Sequence, residues 1–119
     1  MKTAIIVHGW AYNPEMNWYP YVKKQLESKG FEVIIPEMPS PEHPKITEWV
    51  NKLKETIPKP DKETYFIGHS IGCQTIMRYL ESLQKPRKVG SIVFIAPWFQ
   101  LQNLESQEAE KIIQPSLET

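Results

Sequence analysis

A single cysteine, Cys73, leaves no partner for an internal disulfide. Two residues before Thr75 on an expected helix, it reads as a packed core thiol. No apolar run approaches the roughly 20 residues that a membrane-spanning helix needs. Charge of one sign is also missing: 14 Lys and Arg balance 14 Asp and Glu, for a formal net charge of zero. That balance removes the electrostatic case for nucleic acid or an anionic membrane as partner. Met1-Lys2-Thr3 leads directly into a strand-like run, without the longer apolar core and cleavage site of a signal peptide. These absences lead us to expect a soluble cytoplasmic protein with no cofactor and no metal. What remains is an ordinary globular mixture, 40% hydrophobic and 24% charged, in a length of 119 residues that suits one domain. Eleven prolines lie between periodic segments, where they punctuate rather than disorder.

Against that background, Gly68-His69-Ser70-Ile71-Gly72 stands out, directly after the apolar run Tyr65-Phe66-Ile67. This is G-x-S-x-G between an expected strand and an expected helix. A serine on a sharp strand-to-helix turn has a strained backbone, and its hydroxyl projects from the end of the sheet. Small residues at positions 68 and 72 let neighbouring backbone pass close by. The N–H groups that follow point into the same space, at a helix N-terminus that favours negative charge. One turn therefore supplies a nucleophile, Ser70, and an oxyanion donor, the Ile71 amide. The blander alternative is a glycine-bounded turn whose serine caps the helix. A second element lies upstream. Thr3-Ala4-Ile5-Ile6-Val7 reads as a buried strand, and His8-Gly9-Trp10 follows at once. The loop after such a strand supplies the other oxyanion N–H in α/β-hydrolases, and the Trp10 amide is the expected donor.

The remaining elements alternate. The spacing predicts strands at about 3–8, 31–35, 64–68 and 91–95, and helices at about 17–29, 45–57 and 71–84. Trp18, Val22 and Leu26 form an expected buried stripe on the first helix. Ile46, Trp49, Val50, Leu53 and Ile57 form one on the second, and Ile76, Leu80 and Leu83 mark the inner face of the third, widened by Cys73 and Met77. Residues 36–44 carry four prolines and form a rigid loop. His43 within it has no spacing that recommends a catalytic role. Ser91 to Ile95 is apolar on both faces, as in a parallel strand covered by helices. The order β-α-β-α-β-α-β argues an α/β fold, a doubly wound parallel sheet of four strands with helices on both faces. We take residues 1–97 as the core and residues 98–119 as a tail that is weakly structured or helical, with a weak helix at about 103–113.

The sequence resembles the small serine hydrolases of the retinoblastoma-binding protein nine and YdeN-like group, within the α/β-hydrolase superfamily. The matching stretches are Ile6 to Trp10, Trp18 to Leu26, Ile35 to Pro39, Glu48-Trp49, Ile67 to Cys73, Arg78-Tyr79 and Ile95 to Pro97. They cover most of residues 1–105. The resemblance implies a partial α/β-hydrolase fold with sheet order 2-1-3-4. It also implies Ser70 as nucleophile, Ile71 and Trp10 N–H groups as oxyanion hole, and hydrolysis of a small ester or amide through an acyl-enzyme.

One departure is large. The superfamily order is serine, then an acid, then histidine. Here the histidines are His8, His43 and His69, none of which follows Ser70, and no aspartate follows Asp61. A serine without a base is a poor nucleophile. The expectation is therefore a C-terminally truncated member of the group with impaired esterase activity. His8 is the candidate surrogate base, and His69, adjacent to Ser70 on a strained turn, reads as a packing residue. A catalytically silent binding or interaction module that keeps the pocket is the alternative. The fourth strand at an edge also raises self-association as an expectation.

Overall fold

The run Thr3–Val7 is β-branched and apolar on both faces, and in the computed structural model it forms β1, buried on both sides. The structure describes residues 1–83 and 88–95. Element order is β1 (Thr3–Val7), α1 (Tyr19–Glu27), β2 (Glu32–Ile34), α2 (Ile46–Thr56), β3 (Thr64–His69), α3 (Ile71–Glu81) and β4 (Ser91–Ile95). The sheet is parallel with order β2-β1-β3-β4, the order implied by the resemblance. Parallel strands require crossovers, and each crossover here is a helix. The expected tail, residues 98–119, lies outside the described residues.

Alternation along β1 divides the core. Ile5 and Val7 face one layer with Phe66, Trp49, Val50, Leu53, Ile76 and Tyr79, beneath α2 and α3. Ala4 and Ile6 face the other layer with Val33 and Tyr19, beneath α1. Each fully buried side chain of this size contributes about 1.5–3 kcal/mol, so both faces of β1 stabilise the sheet.

Two details differ from the expected pattern. On α1 the fully buried residue is Tyr19, while Trp18, Val22 and Leu26 are half-buried around it. The spacing 19, 22, 26 is as helical as 18, 22, 26, so periodicity could not choose between them. On α3, Tyr79 rather than Leu80 lies fully buried, with Leu80 and Leu83 packed at its margin. The second strand is also shorter than expected, because only Glu32–Ile34 pairs with β1.

The register positions the site. Val7 lies opposite Gly68 on the β1–β3 ladder, so the chain leaving β1 and the chain leaving β3 emerge side by side. His69 lies opposite Ile95, and the Ser70 N–H donates to the Ile95 carbonyl at 3.0 Å. Two carboxyl ends of adjacent strands thus meet where ligands bind open parallel sheets.

Candidate active site

Ser70 joins β3 to α3 with φ 57° and ψ −122°. This left-handed conformation is costly for a residue with a Cβ, on the order of 1–3 kcal/mol, and needs surrounding structure to hold it. The surroundings are visible. A Cβ on Gly72 would sit 2.3 Å from the Val7 carbonyl oxygen, and one on Gly68 would sit 3.0 Å from Cys73 backbone. Only hydrogen at these two positions lets α3 start hard against β1 and β3. Ser70 occupies the N-cap position of α3, yet its side chain makes no capping hydrogen bond. The helix-capping alternative therefore does not describe this serine. Among the described residues its hydroxyl has no hydrogen-bond partner, and Ser70 itself is buried, 7% exposed.

The loop after β1 packs against the elbow. A Cβ on Gly9 would lie 3.3 Å from the Ser70 Cβ and 3.4 Å from His69 Nδ1. Beyond it, Ala11 takes φ 64° and donates its N–H to the Pro41 carbonyl at 2.9 Å. Trp10 Nε1 donates to the Glu42 carbonyl at 3.1 Å. The proline loop thus braces the Trp10 turn, and Trp49 Nε1 braces that loop in turn through the Pro39 carbonyl at 2.7 Å. Among the described residues the Trp10 amide N–H makes no hydrogen bond.

His8 does not serve Ser70 as a base in this arrangement. It is fully buried. Its Nε2 lies 3.2 Å from the Met38 amide, which can only donate, so Nε2 is an acceptor. Nδ1 therefore carries the proton and donates to the Gly9 carbonyl at 2.9 Å. Both ring nitrogens are committed to backbone, and burial lowers the pKa of the ring below its ordinary value. His69 is held by an aromatic cluster. Its ring stacks on Tyr12 at 5.5 Å and 17°, and meets Trp18 and Tyr19 edge-on. Nδ1 lies 2.7 Å from the Tyr19 hydroxyl. His43 is exposed on the proline loop. Cys73, on the first turn of α3, is buried with Sγ 3.7 Å from the Ile95 carbonyl. Burial pushes its thiol up to about 11, which suits a packed thiol.

The sequence pattern does not single out Tyr19 or Tyr12. The only signal for Tyr19 was a tyrosine beside an apolar stripe, since a buried phenol needs a polar partner. Two open concavities, one beside α1 near Tyr21 and Lys24 and one at the Thr3 end of the sheet, do not include Ser70. No group of three or more metal-ligating side chains occurs among the described residues. No helix among them is long and apolar enough to cross a membrane.

A family described as serine hydrolase matches residues 4–117. The chain belongs to the serine hydrolase family. YdeN of Bacillus subtilis (strain 168) is 33% identical over 95 residues, which are 80% of this chain and 50% of that protein. Serine hydrolase RBBP9 of Rattus norvegicus is 38% identical over 68 residues, 56% of this chain and 36% of that protein. The crystal structure of the ydeN gene product superposes with a TM-score of 0.88 at 29% identity, over 96% of this chain and 61% of that one. A crystal structure of PytH, at TM-score 0.65 and 17% identity, shares the fold over 87% of this chain and 43% of its own. The chain spans only part of the length of these curated relatives, 50% of the first and 36% of the second.

Proposed function

We propose that Ser70 is the nucleophile of an esterase-type serine hydrolase that acts on a small ester or amide. The single observation that carries this reading is the uncapped Ser70 hydroxyl on a left-handed backbone at the head of α3. The Oγ attacks the substrate carbonyl carbon, the alcohol or amine leaves with a proton, and an acyl-serine results. Water then breaks the acyl–oxygen bond and restores the hydroxyl. The Ile71 and Trp10 N–H groups serve as the oxyanion hole in both halves, holding the negative charge that develops on the carbonyl oxygen. Gly68 and Gly72 permit the elbow that aims Ser70 at them.

Proton transfer is where these 119 residues fall short. His8 is committed to backbone on both nitrogens and His69 is held by Tyr19. Residues 71–119 contain no histidine and no aspartate. Neither His8 nor His69 is available as a base to Ser70, and His43 is exposed on the proline loop, so slow turnover is expected of the chain. Removing triad members costs several orders of magnitude in rate. The same commitment of His8 and His69 favours a second reading, a silent module that binds carboxylates in the pocket. Hydrolysis of a short-chain nitrophenyl ester by the chain and by Ser70→Ala separates the cases. The proposal expects a low rate, with its excess over background lost in Ser70→Ala. A rate unaffected by that substitution contradicts it.

A further inference from the structure

We propose that Tyr19 is a positioning residue for the Trp10 amide, acting through the Gly9 backbone, an inference that rests on the reading of Ser70 as nucleophile. Tyr19 begins α1, on the opposite face of the sheet from α2 and α3, and it is fully buried. Its phenol oxygen has two close partners. The Gly9 N–H donates to it at 2.9 Å, and His69 Nδ1 lies 2.7 Å away.

The direction of the second bond follows from counting protons. A backbone N–H can only donate, so the phenol oxygen accepts from Gly9. Its own single proton then needs an acceptor, and a buried hydroxyl left without one is costly. Among the described residues, His69 Nδ1 is the acceptor within reach. The phenol therefore donates to Nδ1, and the neutral His69 ring carries its proton on Nε2. Burial lowers the His69 pKa and raises that of Tyr19 to about 12, both of which keep this neutral pair intact. The His69 ring cannot swing away, because Tyr12 stacks on it and Trp18 closes its edge.

The consequence lies at Gly9. Glycine has the freest backbone of any residue, and this one separates the His8–Gly9 peptide from the Gly9–Trp10 peptide. Tyr19 holds the N–H side of Gly9. His8 Nδ1 holds the carbonyl side at 2.9 Å, and the Tyr12 N–H also reaches that carbonyl at 3.3 Å. The Gly9 carbonyl and the Trp10 N–H share one rigid peptide plane. Fixing Gly9 at both ends therefore fixes the direction of the Trp10 N–H, on the loop whose Gly9 packs against Ser70. The cluster of Tyr12, Trp18 and Tyr19 around His69 serves this end: it couples the residue before the nucleophile to the loop that carries the second donor.

The test compares the full chain with Tyr19→Phe, which keeps the ring and removes the hydroxyl. Nitrogen NMR at alkaline pH reads the His69 tautomer, and amide hydrogen exchange reads Gly9. Intact-mass kinetics with excess fluorophosphonate read the rate at which Ser70 is modified. The expected result is loss of the single Nε2–H tautomer, at least about tenfold faster Gly9 exchange, and at least about tenfold slower Ser70 modification. The tautomer signature would not move if Tyr19 only filled space. Tyr19→Phe that modifies Ser70 at the wild-type rate overturns the positioning role and leaves the nucleophile assignment standing. Wild type and Ser70→Ala modified alike overturn both. If Tyr19→Phe does not fold, His69→Phe keeps the aromatic stack and removes Nδ1. It should slow Ser70 modification as well, and an unchanged rate overturns the proposal.

Discussion

Gly72 and Val7 stand so close that a Cβ on the glycine would meet the Val7 carbonyl oxygen at 2.3 Å. Backbone, unlike the end of a flexible side chain, cannot step aside. Gly72→Ala should therefore destabilise the chain by about 2–3 kcal/mol, the upper part of the range for overpacking. Urea unfolding measures it, and a loss below about 0.5 kcal/mol would mean that α3 does not start against β1 as described.

Ser70 offers a converse test. Its φ of 57° is strained for any residue with a Cβ and relaxed for glycine. Ser70→Gly should be more stable than Ser70→Ala by about 1 kcal/mol, strain relief outweighing the extra chain entropy of glycine. Neither substitution removes a capping bond, since Ser70 makes none. Equal stabilities, or a less stable glycine variant, would show that the elbow stores no strain.

Much of this arrangement was legible before the structure, and the reasons are specific. Gly68, Ser70 and Gly72 could be read because a strand before and a helix after leave that spacing few other uses. Trp49, Val50 and Leu53 could be read from periodicity alone, and all three are buried. Tyr19 could not. Its neighbour Trp18 fits the same stripe, and nothing local announces that a phenol will meet His69, fifty residues on, on the α1 face of the sheet. The roles of His8 were hidden for a similar reason. A His-Gly pair after a strand says where the histidine lies, whereas its commitment depends on Met38, thirty residues on in the chain. The apolar faces of β4 imply helix cover. In the fold Ile92, Val93 and Ile95 are 38%, 48% and 37% exposed, because β4 ends the sheet order.

The exposed edge leads to an expectation about association. Among the described residues no strand pairs with the outer side of β4. Apolar edges of this kind template contact between chains, and an inserted lysine suppresses it. Sedimentation over a concentration series should show self-association that Val93→Lys reduces. Wild type that stays monomeric throughout would show the edge to be protected.

Stability should fall on the acid side of the imidazole range. Burial lowers the pKa of both His8 and His69 below 6.5 in the fold. Unfolding frees each ring to take a proton near its ordinary value, so the unfolded chain binds more protons there. Stability is therefore complete above about pH 6.5 and declines as pH falls through the unfolded value and toward the folded one. Urea midpoints for wild type and His8→Asn between pH 7.5 and 5 measure the slope. The variant should show the shallower dependence, and equal slopes would remove His8 as a source.

Covalent labelling tests Ser70 as the nucleophile directly. The chain is incubated with excess fluorophosphonate, its intact mass is followed over hours, and the modified peptide is mapped. A single adduct on Ser70, absent from Ser70→Ala and formed slowly because no free base is at hand, is the expected result. An adduct on another residue, or none on Ser70 after prolonged exposure of the folded chain, would contradict it.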